Sequence, residues 1–325
     1  MTLDYRIKAI VLNYMNSLTE KANKFLHHVF LRDKIPNISN LHQISNLHHS
    51  IKQEFIVSTK RGLFLISRSC LYKIFDGHYY GATLSNTDIY VFEKVSEKNG
   101  RILKIPYDLN KIDKKNVSVF LEDLSAGCHQ IDIQSGYLYI TDSYNNRVIK
   151  VDIQTMDVCE FFPKGTLDNG RNSTNYAHIN SIYLTFEHVY LFCHNETKKT
   201  GIYSSILILN HKFELLKEIK TSASNGHNII NLNGDLIYCD SLNNALMAND
   251  IMVYKADMFT RGLSVTNDYF VLGGSEYARR KERERVKGKL YFINKKFNTI
   301  CTVRMPGMVQ EVRRINGKDY ALSEK

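Results

Sequence analysis

The sequence predicts an all-β protein: a six-bladed β-propeller, with seven blades as the alternative, and an N-terminal α-helical extension. Three observations lead there. From about residue 50 onward, apolar and polar residues alternate with a period of two in many short runs. Asn, Asp, Gly and Ser separate these runs at nearly even spacing. Two independent markers then recur at one common offset. Many short strands with an internal repeat of roughly 40–50 residues are the pattern of propeller blades.

Taken in order, residues 4–30 read as a helix. Ile7, Ile10, Val11, Tyr14, Leu18, Ala22, Phe25 and Val29 recur at three- and four-residue steps and line up one apolar stripe. "KIPNISNLHQISNLHHS" follows as a polar connector, a coil whose histidines lack the fixed geometry a metal ion requires. The boundary is drawn at residue 49, with residues 50–325 forming the propeller. Runs such as "EFIVSTK", "GLFLIS", "DIYVFEKV", "YLYITD", "RVIKVDI", "VYLFCH", "DLIYCD" and "KLYFIN" are its strands.

His78, His129, His178 and His227 are separated by 51, 49 and 49 residues. Asp142-Ser143 with Asn145-Asn146 matches Asp240-Ser241 with Asn243-Asn244 at an offset of 98, which is also the distance from His129 to His227. Five units therefore begin near His78, His129, His178, His227 and Arg261. A closing unit combines "MVQEVRRINGKDYAL" from the C-terminal end with "EFIVSTKRGLFLIS" from near the N-terminus, and so removes the open edges of a linear array.

Composition fits a folded domain. The 325 residues are 43% hydrophobic and 23% charged, which excludes a disordered chain and allows one large core. The six cysteines are widely spaced and form no C-x-x-C pair, so they read as buried thiols of a reducing compartment rather than as a disulfide framework. "MTLDYRIKAIVLNYMNSL" has no secretory pattern, and no run reaches the ~18 apolar residues of a membrane span. The expectation is a soluble cytoplasmic protein. The net charge of +10 is carried in part by "EYARRKERERVKGK" (276–289), with seven Lys or Arg against three Glu. Interleaved acids and the lack of an aromatic platform make this a solvated loop, and nucleic acid is not an expected partner.

"YITDSYNNRVIKVD" resembles the NHL-type blade, whose run is a strand ending in Asp, two residues, Asn, one residue, Arg and an apolar strand. Asp142, Asn145, Arg147 and Val148 fill these positions, and Ala245 replaces the Arg in the unit of Asp240. Across residues 127–315 the chain also resembles a bacterial propeller family of unknown function through "HINSIYL", "GHNIINLNGDLIYCDS", "FTRGLSVTNDYFVLGGSEYARR" and "MPGMVQEV", in that order. The resemblance implies the fold. It assigns no activity, because propellers serve hydrolases, lyases and interaction platforms alike.

In a blade the first strand lies nearest the axis and the second runs back antiparallel. Residues that open first strands (His78, His129, His178, His227, Arg261) therefore share one face with residues that close second strands (Asp142, His194, Asp240). Three readings stand open for this ring: a divalent metal site, a metal-free polar pocket, and histidines that only brace neighbouring blades. Some six-bladed lactonases and peptide-amidating lyases, to which the likeness is architectural, use metals at the channel mouth. The leading expectation is a metal-assisted hydrolase or lyase acting on a small anionic or glycan-type substrate. His129, His178 and His227 would ligate the metal (Zn, Mn, Fe or Ca), His78 would be a fourth ligand or base, and Arg261 would clamp an anion. Asp142, His194 and Asp240 would complete the ligand site. The alternative is a non-catalytic platform for a ligand or a protein partner. The chain has no G-x-S-x-G elbow, P-loop or H-E-x-x-H.

Overall fold

Short β-branched and aromatic runs make good strands, but a lone hairpin of them buries little; stacking sheets radially buries both faces of every inner strand. The protein, described from a computed structural model, uses this solution. The structure describes residues 38–46 (backbone only), 51–67, 69–107, 116–166, 175–278, 282, 283 and 285–323. Among these, twenty-five strands form six sheets, five of four strands and one of five. The helix expected over residues 4–30 lies outside the described residues.

The inner strands of blades 1 to 5 are His78–Leu84, Cys128–Gln134, Ile179–Leu184, His227–Leu232 and Phe259–Val265. They begin within two residues of the unit starts read from the repeat. Blade 6 closes the ring as the sequence suggests. Its inner strand, Val309–Ile315, pairs antiparallel with Glu54–Thr59 in a register that sets Val312 opposite Val57. The outer edge of blade 6 differs from expectation. The segment read as a polar connector contributes the strand Ile38–Asn46, which pairs with Cys70–Phe75 and makes this sheet five-stranded. A polar run suffices there, because an edge strand is held by its backbone ladder.

Burial falls from the axis to the rim. Ile179–Leu184 is buried at every position, whereas Leu215–Lys220 at the edge of the same blade is almost wholly exposed. Apolar clusters fill the wedges between blades, for example Tyr238, Leu246, Leu263 and Leu272 between blades 4 and 5. Each such side chain contributes roughly 1.5–3 kcal/mol by leaving water. The cysteines are free thiols; Cys128, Cys193 and Cys239 are buried.

Near the axis the inner strands pack so closely that some positions exclude any side chain. A Cβ on Gly81 would overlap the carbonyl oxygen of His129 and lie 2.6 Å from the amide nitrogen of Ile131. Backbone cannot yield as a flexible side chain does, so Gly81→Ala is expected to cost about 1–3 kcal/mol in a urea titration. A cost below 0.5 kcal/mol would show that blades 1 and 2 are further apart.

Candidate functional site

All six inner strands run the same way, so their first residues gather on one face of the disc. There they enclose a cavity of about 340 Å³ lined by His129, His178, His194 and His227, with Arg261 and Tyr80. Tyr80 stacks on His129 with ring centres 5.4 Å apart. His129 and His178 are also 5.4 Å apart, His178 and His194 are stacked at 4.5 Å, and His194 meets His227 edge-on at 5.2 Å. Four imidazoles thus form a continuous arc.

The spacing of 49 residues explains both what was found and what was missed. Counting 49 residues back from His129 reaches Tyr80, not His78, and Tyr80 is the ring that stacks on His129. His78 opens the blade-1 strand opposite Lys94, two residues earlier, and does not line the cavity. His194 is brought in by the second strand of blade 3. Asp142 and Asp240 hold turns instead: Asp142 accepts from Asn145 (2.6 Å) and Arg147 (3.0 Å), and Asp240 from Asn243 (2.9 Å) and the amide of Ser224 (2.9 Å). Asn146 and Asn244 take left-handed φ values in these turns, which Asn tolerates, so the repeated Asp-Ser…Asn-Asn marker encodes turn geometry.

Other lining residues carried no sequence signal. Lys60 comes from the hairpin of blade 6, and Glu196, Lys198 and Lys199 come from around the single helical turn Thr197–Thr200. Tyr277 and Arg283 belong to the basic loop read above as solvated, and they instead face the cavity. The described lining therefore holds five cations (Lys60, Lys198, Lys199, Arg261, Arg283) against one carboxylate, Glu196. Arg261 is half-buried, its pKa lowered to about 10 by desolvation, and it remains charged at neutral pH. Its guanidinium lies 5.6 Å from the centre of the Tyr80 ring, and among the described residues no carboxylate forms an ion pair with it.

Hydrogen bonds set the imidazole tautomers. Ser241 Oγ donates to the carbonyl of Thr260 (2.6 Å), so at 2.8 Å it accepts from His227 Nδ1–H, and Nε2 of His227 keeps a free lone pair. His194 accepts the amide of Glu196 on Nδ1 (3.0 Å), so its proton sits on Nε2. His178 Nδ1 lies 2.8 Å from Tyr176 Oη and 3.4 Å from Glu196 Oε1; its Nε2 is 3.3 Å from His129 Nε2. His129 Nδ1 is buried without a hydrogen-bond partner.

For a divalent ion this donor set is incomplete. The 3.3 Å spacing of His129 and His178 resembles that of two ligands on a tetrahedral ion with bonds of about 2.0–2.1 Å. His194, however, presents a protonated nitrogen. Among the described residues no three His, Cys, Asp or Glu side chains are placed to hold a metal.

Below the arc the channel is filled. A void of about 10 Å³, room for roughly one water, is bounded by Gln130, Asn180, Asn228, Gln310 and Glu311. Asn228 donates to both Glu311 oxygens (3.0 and 3.1 Å) and accepts from the amide of Gly262 (2.7 Å). Arg313 pairs with Glu311 at 3.0 Å, yet burial still raises the Glu311 carboxyl to about 7.

Burial, and then the charge of Arg261, hold His129 and His227 well below the usual value of 6.5; burial, and then His178, do the same for His194. A base with a depressed folded pKa contributes stability above its unfolded value that is lost as pH falls through it. Glu311 acts oppositely: its contribution is present below its unfolded value of about 4.5 and lost as pH rises through 7. Burial raises Asp132 too, with the same sign. Three imidazoles oppose two carboxyls, so the imidazoles set the sign of the pH dependence below 6.5. The midpoint of urea unfolding is expected to fall as pH drops from 6.5 to 5, and His194→Gln with His227→Gln should flatten or reverse that slope. An unchanged slope in the double variant would place the acid sensitivity elsewhere.

Neither a protein-family model nor a curated protein matches the sequence. Solved structures do match. A protein of unknown function from Bacteroides caccae aligns at 12% identity and TM-score 0.56, covering 82% of this chain and 100% of that one. A chain of the nidogen/laminin complex aligns at 8% identity and TM-score 0.59, covering 81% and 98%. A presumed gluconolactonase aligns at 10% identity and TM-score 0.52, covering 72% and 80%. At such identities the likeness is one of fold. The chain is a six-bladed β-propeller that resembles the NHL and gluconolactonase-type propellers, among them the Bacteroides protein of unknown function.

Proposed function

We propose that the histidine-lined cavity binds a small anionic substrate and that the protein acts on it as a hydrolase or lyase. The observation that carries this reading is the juxtaposition, in one cavity, of a half-buried guanidinium that forms no ion pair among the described residues and a neutral imidazole of fixed tautomer. Arg261 supplies a charge-assisted, bidentate grip for a carboxylate or phosphate, and Lys60 and Lys198 extend the field toward the mouth. His227 is anchored through Nδ1 by Ser241, so its Nε2 takes a proton either from a water that attacks an ester or lactone or from a carbon next to a carboxylate in an elimination. The depressed pKa keeps this nitrogen unprotonated at neutral pH.

No step is routed through a metal ion. Metal analysis of chelator-free protein checks this part. Near-stoichiometric metal that is lost in a folded His129→Ala/His178→Ala variant would turn those two side chains from hydrogen-bonding partners into ligands.

The decisive experiment titrates the protein with phosphate, citrate and a uronate by calorimetry, then screens anionic esters, lactones and uronate oligomers for turnover. Expected are binding that weakens with salt and at least one turned-over substrate, with kcat lowered about 100-fold or more in His227→Gln. Binding without turnover of any of these would favour the non-catalytic ligand platform. No binding of any anion would overturn the assignment altogether.

A further inference from the structure

The opposite face of the disc carries a second and larger cleft, of about 1000 Å³, at the upper end of the range for small-molecule sites. It lies where the inner strands end, at Leu84 and Leu232, and the C-terminal stretch 317–323 forms part of its floor. The filled channel separates it from the histidine arc.

Its chemistry differs from that of the cationic cavity. Phe186 and the half-buried Tyr107 and Tyr320 present aromatic rings at its surface, with Tyr183 and Tyr190 buried behind them. The polar groups between them are mostly neutral amides and hydroxyls, from Ser85, Asn86, Thr185, Asn231 and Asn233. Asp319 is spent inside the protein on Ser264 Oγ (2.7 Å) and the amide of Val265 (2.9 Å). Lys318 and Glu187 leave the described lining with one available charge of each sign.

Phe186 is the telling residue. Its side chain is 68% exposed, yet the loop that carries it is held firmly. Thr185 and His188 bond each other through the Thr185 amide (2.9 Å) and hydroxyl, Gln134 donates to the Thr185 carbonyl (3.0 Å), and His211 donates to the carbonyl of Phe186 itself (3.1 Å). These bonds fix the backbone of the loop, and the largely exposed phenyl ring it carries lines the cleft. Deeper in the cleft, Asn231 donates to Tyr190 Oη (2.8 Å), which fixes an amide and a phenol side by side.

We propose that this cleft is a binding site for a neutral oligosaccharide. A sugar ring offers an apolar C–H face for an aromatic platform and a rim of hydroxyls for amides and phenols, and it needs no counter-charge. A nucleotide would need cations for its phosphates, and Lys318 is the only cation among the described lining residues. The site stands apart from the proposed anion cavity in position and in chemistry.

The test is saturation-transfer-difference NMR on the full chain with maltotetraose, cellotetraose, xylotetraose and tetraacetyl-chitotetraose, and with tetragalacturonate as the acidic control. At least one neutral tetrasaccharide should receive saturation on its ring C–H protons, with an affinity that falls about tenfold or more in Phe186→Ala. Because Phe186 is exposed, this variant keeps its fold, and its binding of anions in the histidine cavity should be unchanged. His227→Gln should leave saccharide binding intact. No saturation of any neutral tetrasaccharide at millimolar concentration would overturn the proposal. So would binding that is indifferent to Phe186→Ala, or binding that is lost in His227→Gln.

Discussion

Arg261→Met is expected to lower anion affinity at least about 100-fold while leaving the propeller folded. A guanidinium desolvated in a cavity and joined to a charged ligand contributes about 2–5 kcal/mol when one partner is removed, which spans this factor. Stability should move little or rise, because Arg261 is half-buried and, among the described residues, forms no ion pair; methionine fills similar volume without the desolvation penalty. The substitution has a second readout. The charge of Arg261 is the largest electrostatic cause of the lowered pKa values of His129 and His227 after burial, so both should titrate at higher pH in the variant. NMR titration of the imidazole protons and phosphate calorimetry check the two effects independently. Unchanged phosphate affinity would remove Arg261 from the anion site. A collapse of the fold would make it a structural residue.

The largest loss of stability is expected from Arg313→Met. Arg313 is 1% exposed and ties three blades together at the axis. It donates to the carbonyl of Ala82 in blade 1 (3.1 Å) and to that of Leu263 in blade 5 (2.7 Å), and it pairs with Glu311 beside it (3.0 Å). Removing it takes a donor from two buried carbonyls and leaves Glu311 without its ion pair, held only by hydrogen bonds from Asn228 and the amides of Val312 and Leu263. Breaking a buried pair in this way costs about 3–5 kcal/mol. The sign with pH follows from Glu311, whose carboxyl already lies near 7 with its partner present. Without Arg313 its protonation becomes more favourable still, so the loss should be larger at pH 8 than at pH 6. Arg313→Met combined with Glu311→Gln should recover much of the stability at pH 8. A loss below 1 kcal/mol at pH 8, read from urea unfolding, would mean that the axis is not cross-braced by this pair.

Legibility differed among the elements for physical reasons. Strand positions were plain because a buried strand imposes a period of two on its side chains, and turns such as Asp142–Asn146 and Asp240–Asn244 were plain because left-handed φ selects Asn. The edge strand Ile38–Asn46 reads as coil in the sequence, since it is held by pairing with the backbone of Cys70–Phe75 and needs no apolar alternation. In the site, His129, His178, His194, His227 and Arg261 were all legible from their place at strand ends, and all line the cavity. His78 was misplaced by the two extra residues in the first interval.

What the amino-acid order alone determined, then, is the architecture: short strands at nearly even spacing, a repeat of about 49 residues with a shorter fourth unit, a closing unit drawn from both ends, and an arc of imidazoles on one face. These follow from local rules repeated blade after blade, and a repeat adds its evidence. Only the tertiary structure decided the chemistry of the two faces. Lys60, Glu196, Arg283 and Phe186 come from four separate loops with no common motif. Whether their side chains meet and which nitrogen of His227 stays free depend on packing across blades, a property of distances that no periodicity along the chain records.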